Sequence, residues 1–256
     1  MFSHRNDPAA DGVGVAFTDR EGGCSAAPLG PLNLGRTDVD ELDALRANLA
    51  AVRAALGVSQ VVAVHQVHGV AVLDVDDALL AGWGPDSWLG DAVPGAPPLP
   101  VADALVTARR GVALAVRVAD CLPVLLADAA AGVAAAAHAG RVGLAAGVLP
   151  ATLARMTALG AEKITAWIGP HVCAGCYEVP SAMRDEVSAS LPAAWATTSW
   201  GTPALDLAGA AAAQLAEAGC AVIRRDPCTR ETPSLHSHRR DGDRAGRQAG
   251  VIWLPD

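Results

Sequence analysis

Between residues 104 and 139 the chain repeats short apolar segments: "ALVT" (104–107), "VALAVRV" (112–118), "PVLLAD" (123–128) and "GVAAAAHA" (132–139), turning at "RRG", "DCL" and "AAAG". Runs this short, bounded by turn residues, read as buried strands. The links between them cannot hold the crossover that parallel neighbours need, so the run predicts a mixed or antiparallel sheet. Whatever else the chain does must be arranged around that sheet.

Flanking segments change period. Over 39–56, "VDELDALRANLAAVRAAL", the residues Leu42, Leu45, Leu49, Val52 and Leu56 fall on one helical face, with Asp38 and Glu41 as a capping box and Gly57 as the stop. "VVAVHQV" (61–67) and "AVLDV" (71–75) read as strands parted by "HG", and 81–100, rich in proline and glycine, reads as a long surface loop with the makings of a lid. A helix is expected over 143–159, kinked or split by Pro150, then a strand at 163–170, helices near 180–190 and 206–218, a strand at 220–224 and a final "GVIWLP". There is no internal repeat. The expectation is an α+β protein of one domain, residues 1–256.

Size and composition bound the function. The 256 residues are 52% hydrophobic with 26 Gly and 17 Pro, which suits a globular chain with many turns. No apolar stretch reaches the roughly 18 residues of a membrane helix, and the N-terminus lacks the pattern of a signal peptide. The chain is therefore expected to be soluble and cytoplasmic, with no membrane partner. In a reducing compartment its six Cys are expected as core residues, metal ligands or nucleophiles rather than disulfides. A net charge of −8 argues against nucleic-acid binding. Arg239, Arg240, Arg244 and Arg247 nevertheless crowd one segment with Asp241 and Asp243 among them, either a solvated turn or an anion site.

Three residues stand at the ends of predicted strands: His68, Cys121 and His138. One thiolate and two imidazoles suit zinc, and three protein ligands leave a position open for water or substrate, as in a catalytic site. Their separations match no compact zinc-finger spacing, and a core cysteine with hydrogen-bonded histidines is the alternative. His65 faces away from His68 in a strand-like run and is not expected as a fourth ligand. Asp103 and Asp120 read as general acid/base groups, as partners orienting a ligand, or as turn formers. Asn33 and Gln66 read as base or ribose contacts or as structural amides. "CAGC" (173–176) has redox or metal spacing with no second such motif, and His171 lies in the same loop.

The words "NLG" (33–35), "HQVHG" (65–69), "ADALVT" (102–107), "ADCLPVLL" (119–126), "HAG" (138–140), "IGP" (168–170), "CYEV" (176–179) and "RRDGDRAGRQAGVIW" (239–253) occur in the order seen in one family. Over about residues 30–254 the chain resembles the YfiH-like proteins, also called laccase-domain or multicopper polyphenol oxidase-like proteins and purine nucleoside phosphorylases of that type. The resemblance implies a layered α/β sandwich of mixed sheets flanked by helices, and a zinc ion on His68, Cys121 and His138 in a cleft often near a subunit boundary, as monomer or homodimer. It also implies phosphorolysis of adenosine, inosine and methylthioadenosine to free base and (methylthio)ribose 1-phosphate, with adenosine deamination. The partners are then a purine nucleoside and phosphate. "HAGRVGLAAG" offers a turn opening a helix, with Arg141, for the phosphate, and Arg247 is the second expected phosphate ligand.

Two departures from the family pattern stand out: "HAGRVG" in place of HAGWRG, and His236 and His238 where aromatics are common. Other functions compete. Copper oxidation of phenols needs many imidazoles, and among seven His there is one H-x-H pair. A metal-free hydrolase would use Cys121 as nucleophile and His138 as base. Peptidoglycan-precursor editing and a non-catalytic zinc-bearing binding module complete the set.

Overall fold

The computed structural model describes residues 1–35 and 37–256. In spatial order, β1 (Phe2–Arg5), β2 (Gly14–Thr18), β13 (Gln248–Trp253), β6 (Val112–Val118) and β3 (Gln60–Val62) form a five-stranded sheet. A six-stranded sheet runs β12 (Ala221–Arg224), β9 (Thr165–Ile168), β7 (Leu122–Asp128), β8 (Val133–Ala139), β5 (Ala104–Thr107) and β4 (Val72–Asp74). A separate antiparallel ribbon pairs β10 (Trp195–Thr197) with β11 (Pro203–Leu205). Both large sheets are mixed: β3 runs parallel to β6 and β4 to β5, whereas β7 pairs antiparallel with β8 and β9.

The apolar run does not stay in one sheet. β6 leaves it and pairs with β13 and β3, so the "DCL" segment carries the chain from one sheet to the other instead of closing a hairpin. Asp120 makes this possible by adopting a positive φ of 93°, which redirects the backbone within a few residues.

Alternation along these strands builds the layers. Leu114 and Val116 of β6 face Leu125 of β7 and Ala134 and Ala136 of β8, and this cluster glues sheet to sheet. The intervening Ala113 and Ala115 turn outward to the first helical layer. Val124 and Leu126 turn outward on the other side to the second. The result is a helix–sheet–sheet–helix sandwich within one continuous fold.

Short α1 (Pro8–Asp11) turns the chain between β1 and β2. α2 (Leu42–Leu56) buries Leu45, Leu49, Val52 and Leu56 on the first sheet. Its start differs from the expected capping box: Glu41 is the N-cap and makes no side-chain cap bond. The preceding Asp40 carboxylate is drawn inward by Ser25 Oγ at 2.6 Å and Asn33 Nδ2 at 2.8 Å. Gly57 ends the helix at φ 72° as expected. α3 (Asp77–Ala81) follows β4, and α4 (Arg141–Ala146) and α5 (Val148–Ala158) are two helices broken at Gly147, φ 97°. Pro150 is accommodated in the first turn of α5, where its missing N–H costs nothing. α6 (Ser181–Ser190), α7 (Leu207–Glu217) and α8 (His238–Asp241) complete the helices. No described helix is long and apolar enough to cross a membrane.

The segment 81–100, read from the sequence as a surface loop, is anchored at two tryptophans and contributes Leu89, Asp91, Pro98 and Leu99 to the cleft wall. Trp83 Nε1 donates to Val61 O at 2.9 Å, and Trp88 is buried in the core cluster on the outer face of the first sheet. Truncating a buried tryptophan costs about 3–5 kcal/mol. Trp88→Ala is therefore expected to lower the urea midpoint by that equivalent, and an unchanged midpoint would show that the segment is not anchored.

Candidate metal centre and cleft

His138 lies two residues beyond Ala136, so alternation in β8 turns it toward the space between the sheets, where their ends part. Cys121 arrives from the crossover between β6 and β7. His68 comes from the loop after β3 with a positive φ of 62°. The three ligand atoms lie within 4.8 Å of one another. Cys121 Sγ is 3.7 Å from His68 Nε2, and the two imidazoles stand edge to face with centroids 4.8 Å apart. Tetrahedral zinc sets such donors roughly 3.3–3.8 Å apart, so this donor set fits a metal ion with little movement.

Asp103 organises the group. Its carboxylate is fully buried at the start of β5 and accepts from His68 N at 2.9 Å, Gly69 N at 2.6 Å, Val67 N at 3.2 Å and His138 Nδ1 at 2.8 Å. The last bond commits His138 Nδ1 to donating, which leaves Nε2 as its ligand atom. Burial alone would raise the Asp103 pKa, but the His138 bond and the amides of Gly69 and Val67 outweigh it and bring it down to about 2.

Cys121 and His138 shift in opposite directions. Burial would raise the thiol, yet the hydrogen bonds from His138 and His68 lower it to about 6. Burial would lower His138, yet its bonds to Asp103 and Cys121 raise it to about 9. The thiolate present at neutral pH is the form that binds metal or attacks an electrophile.

Two glycines let this happen. A Cβ at Gly140 would sit 2.6 Å from His68 Cδ2 and 3.1 Å from Cys121 Sγ, and one at Gly143 would sit 2.8 Å from Gly69 O. The "HAG" word and the glycine three residues on are thus spaced to admit the His68 turn against α4.

The triad opens into a cleft of about 960 Å³, lined also by Gln66, Arg117, Arg141, Tyr177, Arg239 and Arg247. Burial and the neighbouring Arg247 push the Arg117 guanidinium down to about 10. Arg239 lies over the Tyr177 ring at 4.9 Å. α4 has only six residues, so the cationic wall is made by arginine side chains and owes little to a helix dipole. Sequence reading assigned no role to Arg117 or Tyr177. Arg117 was detectable as the lone charge inside the apolar strand "VALAVRV", and Tyr177 as the aromatic of "CYEV".

The other expected residues separate. Both carboxylate oxygens of Asp120 are engaged, by Thr229 Oγ1 at 2.5 Å and Arg239 N at 2.6 Å. Gln66 lines the cleft, but both ends of its amide pair with the Arg117 backbone. Asn33 is buried outside the lining and accepts from Gly35 N and Arg247 N. His65 lines the cleft but does not join the metal group. His171 is buried on Gly169 O, away from the lining. His236 is buried on Leu32 O, whereas His238 is exposed at the cleft.

Residues 14–255 match the family model for multi-copper polyphenol oxidoreductase laccase. The chain is 49% identical over 259 residues to a purine nucleoside phosphorylase of Streptomyces griseus, covering 99% of each. It is 49% identical to one of Streptomyces coelicolor, covering 95% of this chain and 96% of that one. Among solved structures it is similar to YfiH of Bacillus licheniformis, with a TM-score of 0.82, 27% identity and coverage of 95% and 93%. It is also similar to YlmD of Geobacillus stearothermophilus, with a TM-score of 0.80, 30% identity and coverage of 98% and 94%.

The folded Asp103 pKa lies below the unfolded value of about 3.9. Its stabilisation is therefore complete above that value and lost as the pH falls from about 4 towards 2. For the metal-stripped protein this loss is on the order of 1–2 kcal/mol once solvent in the cleft is allowed for. In chelator, Asp103→Asn is expected to be less stable at neutral pH and to flatten this acid limb in urea titrations. Parallel limbs in the two proteins would contradict the assignment.

Proposed function

The chain belongs to the multi-copper polyphenol oxidoreductase laccase family, the YfiH-like proteins, and from that membership we propose that it is an enzyme of the purine nucleoside phosphorylase type that holds zinc on His68, Cys121 and His138. The observation that carries this reading is the Cys/His₂ donor set opening onto an arginine-lined cleft. A bound zinc supplies Lewis-acid chemistry, including water activation for the accompanying deamination of adenosine.

The residues then divide the work. In phosphorolysis, an oxygen of hydrogen phosphate bonds to ribose C1′ as the glycosidic bond breaks, and the proton that the phosphate gives up ends on the departing purine. Arg117, Arg141 and Arg247 bind and orient the phosphate, since guanidinium groups hold such oxyanions in fork geometry and a dianion offsets the mutual repulsion of Arg117 and Arg247. Arg141 does this from the first position of α4, which answers the "HAGRVG" departure. Tyr177 gives a nucleoside an aromatic wall. Asp103 is a positioning residue that fixes the His68 turn and the His138 ring. Asp120 positions Arg239 instead of exchanging protons. Asn33 and Gln66 act through Arg247 and Arg117 respectively, as the props of their backbones.

A second reading, a metal-free hydrolase, is favoured by the lowered Cys121 and raised His138. It predicts a metal-free chain that is alkylated at Cys121. Copper oxidation has less to build on: His236 and His238 part company, and two imidazoles join the described cluster.

Zinc-loaded protein incubated with adenosine, inosine or methylthioadenosine is expected to yield free base and ribose 1-phosphate, or methylthioribose 1-phosphate from the last, only when phosphate is present. No product from any of the three would overturn the substrate assignment. Asp103→Asn is expected to lower kcat/KM by about 10–100-fold. Arg247→Ala should raise the KM for phosphate more than that for nucleoside, and equal effects on both would remove it from the phosphate site.

A further inference from the structure

A second group of side chains able to ligate a metal lies outside the cleft lining. Cys173, Cys176, Cys228 and Glu231 offer ligand atoms that all lie within 4.8 Å of one another. All three cysteines are free thiols. Their spacing is paired: Cys-x-x-Cys over 173–176 and Cys-x-x-Glu over 228–231. Each pair lies in a tight backbone turn, with Cys176 N and Tyr177 N both donating to Cys173 O at 2.9 Å and Thr232 N to Cys228 O at 3.0 Å.

The two turns already touch. Cys173 N donates to Cys228 Sγ at 3.4 Å, and Cys176 Sγ donates to Glu231 Oε1 at 3.4 Å. An amide aimed at a cysteine sulfur stabilises a thiolate there, as sulfur ligands require. With no cation present, burial and the neighbouring Cys228 push the thiols of Cys173 and Cys176 up. Three thiolates and a carboxylate crowded together are a poor resting state for a protein but a complete ligand set for a thiophilic divalent ion. Soft sulfur donors select zinc over calcium or magnesium, and four protein ligands leave no open position, the mark of a structural site.

We propose that Cys173, Cys176, Cys228 and Glu231 form a second, structural zinc site that clamps the 173–176 turn to the 228–231 turn behind the cleft. The first turn runs directly into Tyr177, a cleft residue. The second carries Thr229, whose hydroxyl meets Asp120 at 2.5 Å, and Arg240 Nη1 grips the carbonyls of Thr229 and Thr232. The clamp therefore sets the Tyr177 and Arg239 side of the cleft without touching substrate. Binding releases the thiol protons to solvent and changes no oxidation state.

Metal analysis of the full chain, purified in reductant and weighed intact under native conditions, tests this. The wild type is expected to hold two zinc ions and Cys121→Ser one. The cobalt derivative of Cys121→Ser should keep strong thiolate-to-cobalt charge-transfer absorption, which adding Cys173→Ser weakens by removing one of three thiolates. Because Cys173→Ser can itself disturb folding, the Cys121→Ser chain is also alkylated with iodoacetamide. Cys173, Cys176 and Cys228 should resist labelling until chelator is added, and equal labelling with and without chelator would overturn the site. A zinc-free Cys121→Ser chain, or a disulfide among the three cysteines in the reduced preparation, would do the same. Failure of the cleft assignment reads differently: Cys121→Ser would then leave the zinc count unchanged while chelator-dependent protection persists.

Discussion

A single buried carboxylate holds the functional end of this protein together. Asp103 accepts three successive backbone amides, Val67 to Gly69, and the Nδ1–H of His138. A fully buried carboxylate is costly unless it is hydrogen-bonded, and here that requirement dictates local structure. The amides can converge on it only if the chain curls at His68, which explains why a non-glycine residue tolerates φ 62° there. The same carboxylate selects the tautomer of His138. Without Asp103, two of the three candidate ligands would lose their aim together.

The sandwich supplies the frame in which that carboxylate is buried. Three strand-end residues, Asp103, Cys121 and His138, come from β5, the β6–β7 crossover and β8, which are locked by sheet pairing and by apolar contact on both faces. The long alanine run of β8 keeps those faces close, and Gly140 and Gly143 let α4 close against the His68 turn. Rigid elements of this kind hold a site more accurately than loops do. The cationic side of the cleft is built differently, from residues braced on backbone groups: Arg117 through Gln66, Arg247 through Asn33, and Arg239 through Asp120.

Local periodicity was enough to locate α2, α6, α7 and the four central strands, whereas the helix expected over 143–159 breaks at Gly147 and not at Pro150. Periodicity could not reveal that β6 departs from its neighbours, because that choice depends on β13, more than a hundred residues away, and on a backbone angle at Asp120. β1 and β2 escaped for the same reason, since β2 gains its place by pairing with the C-terminal strand. At the site, His68, Cys121 and His138 were legible as residue types at strand ends and through family words. Asp103 was legible as one of several roles. Asn33 and Gln66 read from the sequence as substrate contacts or structural amides, because a sequence shows an amide but not its partners: Gln66 pairs with the Arg117 backbone, and Asn33 with Gly35 N, Arg247 N and the Asp40 carboxylate.

The three residues oriented through Asp103 and the β6–β7 crossover serve the proposed chemistry only if together they bind one ion. Crystals grown with zinc and measured on both sides of the zinc absorption edge test it directly. The predicted result is an anomalous peak about 2.0–2.1 Å from a ring nitrogen of His68 and of His138, and about 2.3 Å from Cys121 Sγ. A map with no peak between them, and Cys121 instead modified or paired only with His138, would contradict it.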